Sequence, residues 1–321
     1  MKNIVTIGGG TGTFVVLSAL RTVPNISLSA IVTTADDGGS TGHLRDAYGF
    51  LPAGDARQAL VALAEDGNVL RDLFAYRFTK SDLAGHSLGN LFITALTDIL
   101  GSDAKALEEA SRILRVSGTV IPATEHSSVL VATLADGTRI RTEHEIDAPV
   151  ADRARIASLA LEDSVALSDA ARKAIEEADV LIVGPGDLYT SSISALLPEG
   201  MKEAFTKSQA TFVYIANLFT KQGQTDGYTL SDHLQEIARY AGREPDRILV
   251  HQGSFSPEVL EWYAKEGEFP LTDDLVDDAR VARLPLALVH TVPPLPNDPV
   301  RRSLMRHDPQ LLAEALEPIV R

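Results

Sequence analysis

The chain has 321 residues, of which 45% are hydrophobic and 23% charged, and its formal net charge is −15. These fractions are ordinary for a globular protein and allow one large α/β domain or two smaller ones. The acidic balance argues against a protein whose main task is to grip a nucleic-acid backbone, because that task usually needs a basic face. The absence of cysteine excludes disulfides, thiolate nucleophiles and cysteine-ligated metals.

The first residues predict a cytoplasmic protein. Residues 4–7 form an apolar run that glycines interrupt at once, which is too short for the apolar region of a signal peptide. No stretch of about 18 apolar residues occurs, so we expect no membrane span.

Strands and helices alternate in the predicted order. Over the first third, strands are expected at 4–7 and 28–34, and helices at 14–20, 56–63, 88–100 and 104–114. Strands at 129–134 and 139–145, joined by an Asp-Gly turn, predict an antiparallel hairpin. Further strands are expected at 180–183, 212–216, 247–250 and 286–290, and helices at 168–178, 230–241 and 309–320, with a proline-rich loop at 292–299.

This order predicts a Rossmann-like, doubly wound α/β fold with a mostly parallel sheet and a small peripheral antiparallel hairpin. We interpret residues 1–321 as a single nucleotide-binding domain, with a peripheral subdomain at about 100–175. The sequence leaves open whether the protein forms a homo-oligomer.

A glycine-rich loop lies between the first strand and the first helix. It consists of Gly8, Gly9, Gly10, Thr11 and Gly12. Glycines allow backbone N–H groups to approach a phosphate, and the helix amino terminus adds a partial positive charge. The strict dinucleotide pattern fails, and the Lys-Ser/Thr pair of a P-loop is missing. A tight turn without a ligand is the alternative.

An acidic loop follows the second strand. Its residues are Asp36, Asp37, Gly38, Gly39 and Ser40. The carboxylates could bind a ribose hydroxyl or hold Mg²⁺ beside a phosphate. A simple Asx-type turn explains the same residues. Both loops leave carboxyl ends of strands, where open α/β sheets bind ligands.

Two further segments resemble site loops. Gly184 and Gly186 leave the strand at 180–183, and Thr190 follows as a helix cap or a phosphate donor. Residues 85–89 fit G-x-S-x-G, but the polar residues before them cannot form the buried strand that a nucleophile elbow requires. We therefore interpret Ser87 as a helix cap or a polar site residue.

The ordered set of motifs resembles one known family. This family unites the 2-phospho-L-lactate transferases (CofD-like) with the YvcK-type gluconeogenesis factors. The matching segments are 8–12, 34–40 with 44–45, 52–57, 76–78, 85–91, 184–191 and 217–233. The stretches GHSLGNLF and TDGYTLSDH resemble the gluconeogenesis-factor branch most closely.

The resemblance implies a Rossmann-like fold and a UDP-sugar ligand such as UDP-N-acetylglucosamine. It also implies a regulatory role in carbon metabolism, cell-wall synthesis and cell shape. On this basis the phosphate and pocket residues are expected to be Gly8, Gly9, Gly10, Thr11, Gly12, Asp36, Asp37, Gly38, Gly39, Ser40, His86, Asn90, Gly184, Gly186, Tyr189, Thr190 and Asn217. The sequence departs from the family pattern at His43, Gln58, Asp187 and the pair Ser194-Ala195.

Two functions follow as hypotheses. One is a nucleotide-sugar-binding regulator that needs no cofactor and has no demonstrated catalysis. The other is a transferase acting on a deazaflavin, in which Asp36 and Asp37 would hold Mg²⁺. An NAD-dependent oxidoreductase is disfavoured by the imperfect glycine fingerprint.

Overall fold

Twelve strands are found in the described part of the chain. The computed structural model describes residues 1–37, 41–42, 44, 50–65, 67, 69–289 and 304–321. The strands are β1 (Lys2–Gly8), β2 (Ile26–Val32), β3 (Thr119–Pro122), β4 (Leu130–Leu134), β5 (Arg139–Arg141), β6 (Ile156–Leu161), β7 (Val180–Val183), β8 (Thr211–Ile215), β9 (Arg247–His251), β10 (Val281–Leu284), β11 (Ala287–Val289) and β12 (Met305–His307).

Seven of these strands form one parallel sheet in the order β10-β9-β8-β7-β1-β2-β3. The chain moves outward from β1 to β3, returns to β7 beside β1, and then moves outward in the other direction. The strand order therefore reverses between β1 and β7, which is where doubly wound sheets open a crevice at their carboxyl edge. The predicted fold class is confirmed.

Eleven α-helices accompany the strands in the described residues. They are α1 (Gly10–Leu20), α2 (Gly54–Leu63), α3 (Val69–Ala75), α4 (Leu88–Leu100), α5 (Asp103–Leu114), α6 (Glu143–Asp147), α7 (Asp169–Glu176), α8 (Met201–Lys207), α9 (Leu230–Ala241), α10 (Pro257–Lys265) and α11 (Pro309–Val320). A π-helical turn (Leu188–Ile193) follows β7.

The sheet is covered on both faces because its strands are apolar on both faces. Along β1, Ile4 packs into one buried cluster, and Val5 and Ile7 pack into the other. In β2, Val32 shares the cluster of Ile4, and Ile31 that of Ile7. Strands buried on both sides read as continuous apolar runs, which is why β1 was predictable.

The peripheral hairpin differs from its prediction. β4 pairs with β5 and with β6, so the antiparallel unit is a separate sheet of three strands. The predicted strand at 139–145 ends at Arg141, because Thr142 caps α6 by accepting a hydrogen bond from the Glu145 N–H. The interval 143–147 is helical.

The end of the sheet also differs. The strand predicted at 286–290 is β11, which pairs antiparallel with β12 and lies outside the main sheet. The last strand of the main sheet is β10, which the sequence did not indicate because none of its residues is fully buried. The proline-rich segment 292–299 lies outside the described residues.

Candidate functional site

The amino terminus of α1 presents bare backbone at the crevice. Gly9 is the N-cap and has no side chain to cap the helix, and Gly10 has a φ of +65°. A Cβ on Gly12 would lie 1.9 Å from the Pro185 carbonyl oxygen. Glycine is required at this position because the helix packs directly on the loop after β7.

The loop after β7 faces the glycine-rich loop across the switch point. A Cβ on Gly184 would lie 2.6 Å from the Ile215 carbonyl oxygen, so this glycine packs against β8. A Cβ on Gly10 would lie 3.6 Å from the Ser191 hydroxyl oxygen, and one on Gly186 would lie 3.7 Å from the Gly9 carbonyl oxygen. The structure thus brings the two predicted glycine loops together, with the Ser191 hydroxyl between them.

Carboxylates border the same helix end. Asp55, the second residue of α2, accepts a 2.8 Å hydrogen bond from the Gly10 N–H. Asp36 lies against the start of α2, where a Cβ on Gly54 would meet its Oδ2 at 2.3 Å. Asp37 accepts a 2.8 Å hydrogen bond from the His144 N–H at the start of α6. Asp36 and Asp37 therefore contact the starts of α2 and α6, and Asp55 connects α2 to the start of α1.

Two members of this cluster of acids, Asp55 and Glu143, have raised pKa values. Burial, and then the charge of Asp36, raise the pKa of the Asp55 carboxyl to about 7. The pKa of Glu143 also lies well above its usual range, because of burial and of the charges of Asp36, Asp147, Asp55 and Asp37, in that order. Repulsion of this kind is relieved by a proton or by a cation.

Under the transferase hypothesis, Asp36 and Asp37 are the expected metal ligands. Among the residues that the structure describes, no group of three or more His, Asp or Glu side chains is arranged to hold a metal ion. One Asp37 oxygen is already engaged by the His144 N–H. The donor chemistry suits Mg²⁺ only if a ligand supplies further oxygens, which is how Mg²⁺ usually binds beside phosphates.

Ser87 is a helix cap. Its hydroxyl oxygen accepts a 3.1 Å hydrogen bond from the Asn90 N–H at the start of α4, and the residue is only 1% exposed. The Asn90 side chain accepts from Arg57 Nε at 2.9 Å and donates to Thr41 at 3.3 Å. Asn90, expected in the pocket, is thus buried, and its side chain links Arg57 of α2 to Thr41.

Tyr189 was expected to line the pocket, but its side chain is fully buried. Its hydroxyl lies 2.9 Å from that of Tyr228 and 3.4 Å from the Ile156 carbonyl oxygen. Tyr189 therefore anchors the π-helical turn to the antiparallel sheet. Thr190 is also buried, and its hydroxyl lies 3.5 Å from Asp147 Oδ1.

The remaining expected residues lie at three places. Thr11 is exposed on the first turn of α1. His86 lies in the turn before α4, where its N–H donates to the Leu83 carbonyl. Asn217 follows β8, and its buried Oδ1 has no hydrogen-bond partner within the described part of the chain. Gly38, Gly39, Ser40 and His43 lie outside the described residues.

Asp187 is one of the positions at which the sequence departs from the family pattern. Its Oδ2 lies 3.2 Å from Lys221 Nζ, which also approaches Asp147 Oδ1 at 3.3 Å. The departures at Ser194 and Ala195 are buried, and the Ser194 hydroxyl donates to the Thr190 carbonyl at 2.6 Å.

Sequence reasoning missed four charged residues of this region, which are Asp55, Glu143, Asp147 and Lys221. Asp55 stood inside a quoted motif, directly after the turn at 52–54, and its place at a helix start was the available signal. Glu143 and Asp147 were hidden because a strand was predicted there. Nothing in the sequence linked Lys221 to residues more than 30 positions away.

A depression in the surface lies away from the glycine loops. It has a volume of about 510 Å³ and is lined by Met1, Lys2, Pro24, Asn25, Val320 and Arg321. These residues flank the amino ends of β1 and β2, opposite the carboxyl edge where such sheets bind ligands. We therefore place the candidate site at the glycine loops.

A sequence model of the family described as 2-phospho-L-lactate transferase CofD matches residues 4–291. The chain belongs to this family. Within the CofD family it is 41% identical to the gluconeogenesis factor of Halalkalibacterium halodurans, over 98% of this chain and 95% of that one. It is 39% identical to the gluconeogenesis factor of Bacillus subtilis, over 85% and 86% of the two chains.

Solved structures agree with this family assignment. The crystal structure of a UPF0052-family protein from Bacillus halodurans superposes with a TM-score of 0.89 at 39% identity, and it covers 100% of both chains.

In the described residues, no helix is long and apolar enough to cross a membrane.

Proposed function

We propose that this CofD-family protein binds a nucleotide sugar such as UDP-N-acetylglucosamine and acts as a regulator of carbon metabolism, cell-wall synthesis and cell shape. The observation that carries the proposal is the meeting of two glycine loops at the switch point, with the Ser191 hydroxyl between them. Bare backbone at a helix amino terminus is suited to a diphosphate. The relatives named gluconeogenesis factor support the regulatory part.

The neighbouring acids give the binding a condition. A diphosphate at the start of α1 would lie beside Asp36 and Asp55, and like charges at this distance repel each other. Mg²⁺ held by Asp36 and Asp37 together with the phosphate oxygens would remove the repulsion. We therefore expect Mg²⁺ to tighten binding without being required for it.

Thr11 offers a direct test, because it is exposed on the first turn of α1. We expect Thr11→Asp to weaken binding of UDP-N-acetylglucosamine by more than tenfold in isothermal titration, since it places a negative charge where the diphosphate binds. Thr11→Asn has nearly the same shape without the charge and should lose much less. Titrations with and without Mg²⁺, and of Asp36→Ala, give the metal dependence.

The control is Glu203→Gln, which removes a carboxylate from an ion pair with Lys207 on α8, before the amino end of β8. It should bind like the wild type. Equal affinities of Thr11→Asp and Thr11→Asn would show that the diphosphate does not lie at α1. A wild type that binds no uridine nucleotide sugar would overturn the proposal.

A second candidate function is a transferase that moves a phosphorus-containing group onto a deazaflavin. The match to the 2-phospho-L-lactate transferase family model over residues 4–291 favours it, and the acids Asp36 and Asp37 could hold Mg²⁺ near the bond that breaks. Incubation with candidate donors and a deazaflavin, followed by mass spectrometry, distinguishes the two functions. Turnover supports the transferase, and binding without turnover supports the regulator.

A further inference from the structure

A polar cluster lies beyond the glycine loops, assembled from three parts of the chain. Lys221, after β8, places its Nζ 3.3 Å from Asp147 Oδ1 on α6 and 3.2 Å from Asp187 Oδ2 in the loop after β7. Gln224 donates from Nε2 to Asp147 Oδ1 at 2.9 Å and approaches the Thr190 hydroxyl at 3.5 Å. All five side chains are polar, and each contacts at least one of the others.

Gln224 shows that the cluster is incomplete. The residue is only 2% exposed, and its Oε1 is buried without a hydrogen-bond partner among the described residues. A buried carbonyl oxygen that lacks a donor costs free energy, and native proteins seldom leave one unsatisfied. A ligand that brings an O–H or N–H group into the cluster would supply the missing donor.

The charges of the cluster suit a neutral, hydroxyl-rich group. Lys221 pairs with two carboxylates and neutralises one of their two charges, so the cluster carries about one net negative charge and does not attract a phosphate. Each carboxylate keeps lone pairs after its ion pair with Lys221, and the Gln224 amide oxygen has lone pairs as well. These lone pairs accept hydrogen bonds from hydroxyl groups. Lys221 remains a donor to a ring or hydroxyl oxygen.

The cluster also lies next to the proposed diphosphate site. Asp187 follows Gly186 directly, and Thr190 precedes Ser191, whose hydroxyl faces Gly10. A group attached to the diphosphate would therefore reach Asp187, Thr190 and Gln224 while the phosphates stay at α1.

We infer that Asp147, Asp187, Thr190, Lys221 and Gln224 form the subsite that binds the sugar of a nucleotide sugar, and that Asp187 helps to determine which sugar is accepted. This inference rests on the proposed nucleotide-sugar function. It gives a role to a position where the sequence departs from the family pattern. The sugar hydroxyls donate to Asp187 and to Gln224 Oε1, and Lys221 keeps the two carboxylates in place.

The test compares two ligands in isothermal titration: UDP and UDP-N-acetylglucosamine. In the wild type the sugar is expected to tighten binding at least tenfold over UDP. Asp187→Asn keeps the shape and removes the charge. The ratio of the dissociation constant of UDP to that of UDP-N-acetylglucosamine should therefore fall at least fivefold. Gln224→Met keeps the volume, removes both amide groups, and should lower the ratio in the same way. Glu203→Gln, on α8, should keep the wild-type ratio.

The outcomes separate the two proposals. If the wild type binds neither ligand, the proposed function fails. If it binds both and the two variants keep the wild-type ratio, or if the wild type itself prefers neither ligand, the sugar subsite is overturned and the nucleotide site stands. Thermal unfolding of each variant checks that it folds, and Gln224→Met decides the question if Asp187→Asn does not.

Discussion

Asp55 lies at the amino ends of two helices. It is the second residue of α2, and its carboxylate accepts the Gly10 N–H at the start of α1. Burial and the charge of Asp36 favour the protonated form and outweigh the Gly10 N–H and the charge of Arg57, so the pKa rises from 3.8 to about 7. The free protein thus keeps a carboxyl that changes its protonation near neutral pH beside the proposed phosphate site.

This pKa makes the free energy of unfolding depend on pH. Between pH 3.8 and about 7 the folded state binds more protons at Asp55 than the unfolded state, so the stability contribution of this residue falls as pH rises. We expect Asp55→Asn to be more stable than the wild type by roughly 2–4 kcal/mol at pH 8, and by less than half of that at pH 5.

Urea unfolding of both proteins at pH 5 and pH 8 measures the difference. The conservative variant Glu203→Gln, whose carboxylate is on the surface, should show no such change between the two pH values. A less stable Asp55→Asn at pH 8 would mean that the ionised carboxylate stabilises the two helix ends, contrary to this account.

At the scale of single elements, α4 is defined by its caps. Ser87 accepts the Asn90 N–H at the amino end, and Gly101 adopts a left-handed conformation with a φ of +66° at the carboxyl end. Ser87 is buried, so neither water nor another side chain can readily replace its hydroxyl. The Arg57–Asn90–Thr41 hydrogen bonds depend on this helix start, because Asn90 lies in its first turn.

We expect Ser87→Ala to lower the free energy of unfolding by about 1–2 kcal/mol, because the helix loses its N-cap. Denaturant unfolding measures the change. Ser164→Ala removes an exposed hydroxyl that bonds Glu199, and it should stay within about 0.5 kcal/mol of the wild type. A Ser87→Ala variant as stable as the wild type would show that the cap hydrogen bond contributes nothing measurable.

Elements with strong local signals were predictable from the sequence. β1 and β7 are apolar runs that end in glycine, and α4 has a serine before it and a glycine after it, so both the sheet and its two glycine loops could be placed. α6 could not be placed, because the turn that starts it depends on Thr142, a β-branched residue with an unusual φ of +77°. Because α6 was not predicted, its carboxylates Glu143 and Asp147 were not recognised as residues of the candidate site.

Long-range pairings explain the other differences. The burial of Tyr189 follows from its contact with Tyr228, which lies 39 residues away in sequence. The balance of Asp187 by Lys221 joins residues 34 positions apart. Local patterns carry no information about such partners, so the sequence indicated the residue types of the candidate site better than their roles.

The whole molecule carries 44 acidic and 29 basic side chains, not counting histidine. Part of this excess is concentrated where Asp36, Asp55 and Glu143 lie together. Self-repulsion of this kind opposes the folded state and weakens as salt screens it.

We expect the melting temperature at pH 8 to rise by roughly 2–5 °C between about 20 mM and about 500 mM NaCl. Differential scanning calorimetry across this range measures the shift. Near pH 5, close to the sequence pI of 4.9, the rise should largely vanish because the net charge is then small. A melting temperature that falls with salt at pH 8 would mean that attractive ion pairs outweigh the repulsion.

The antiparallel sheet leaves and rejoins the main fold at nearly one point. Ala123, just after β3, accepts a hydrogen bond from the Ser168 N–H just before α7, at 2.9 Å. Everything between these two residues, including Glu143 and Asp147, is therefore an insertion whose ends already touch. Such an excursion can lengthen, shorten or change its acids over evolutionary time without altering the order of the seven parallel strands. One scaffold could in this way give rise to descendants that share the two glycine loops and differ in the side chains beside them.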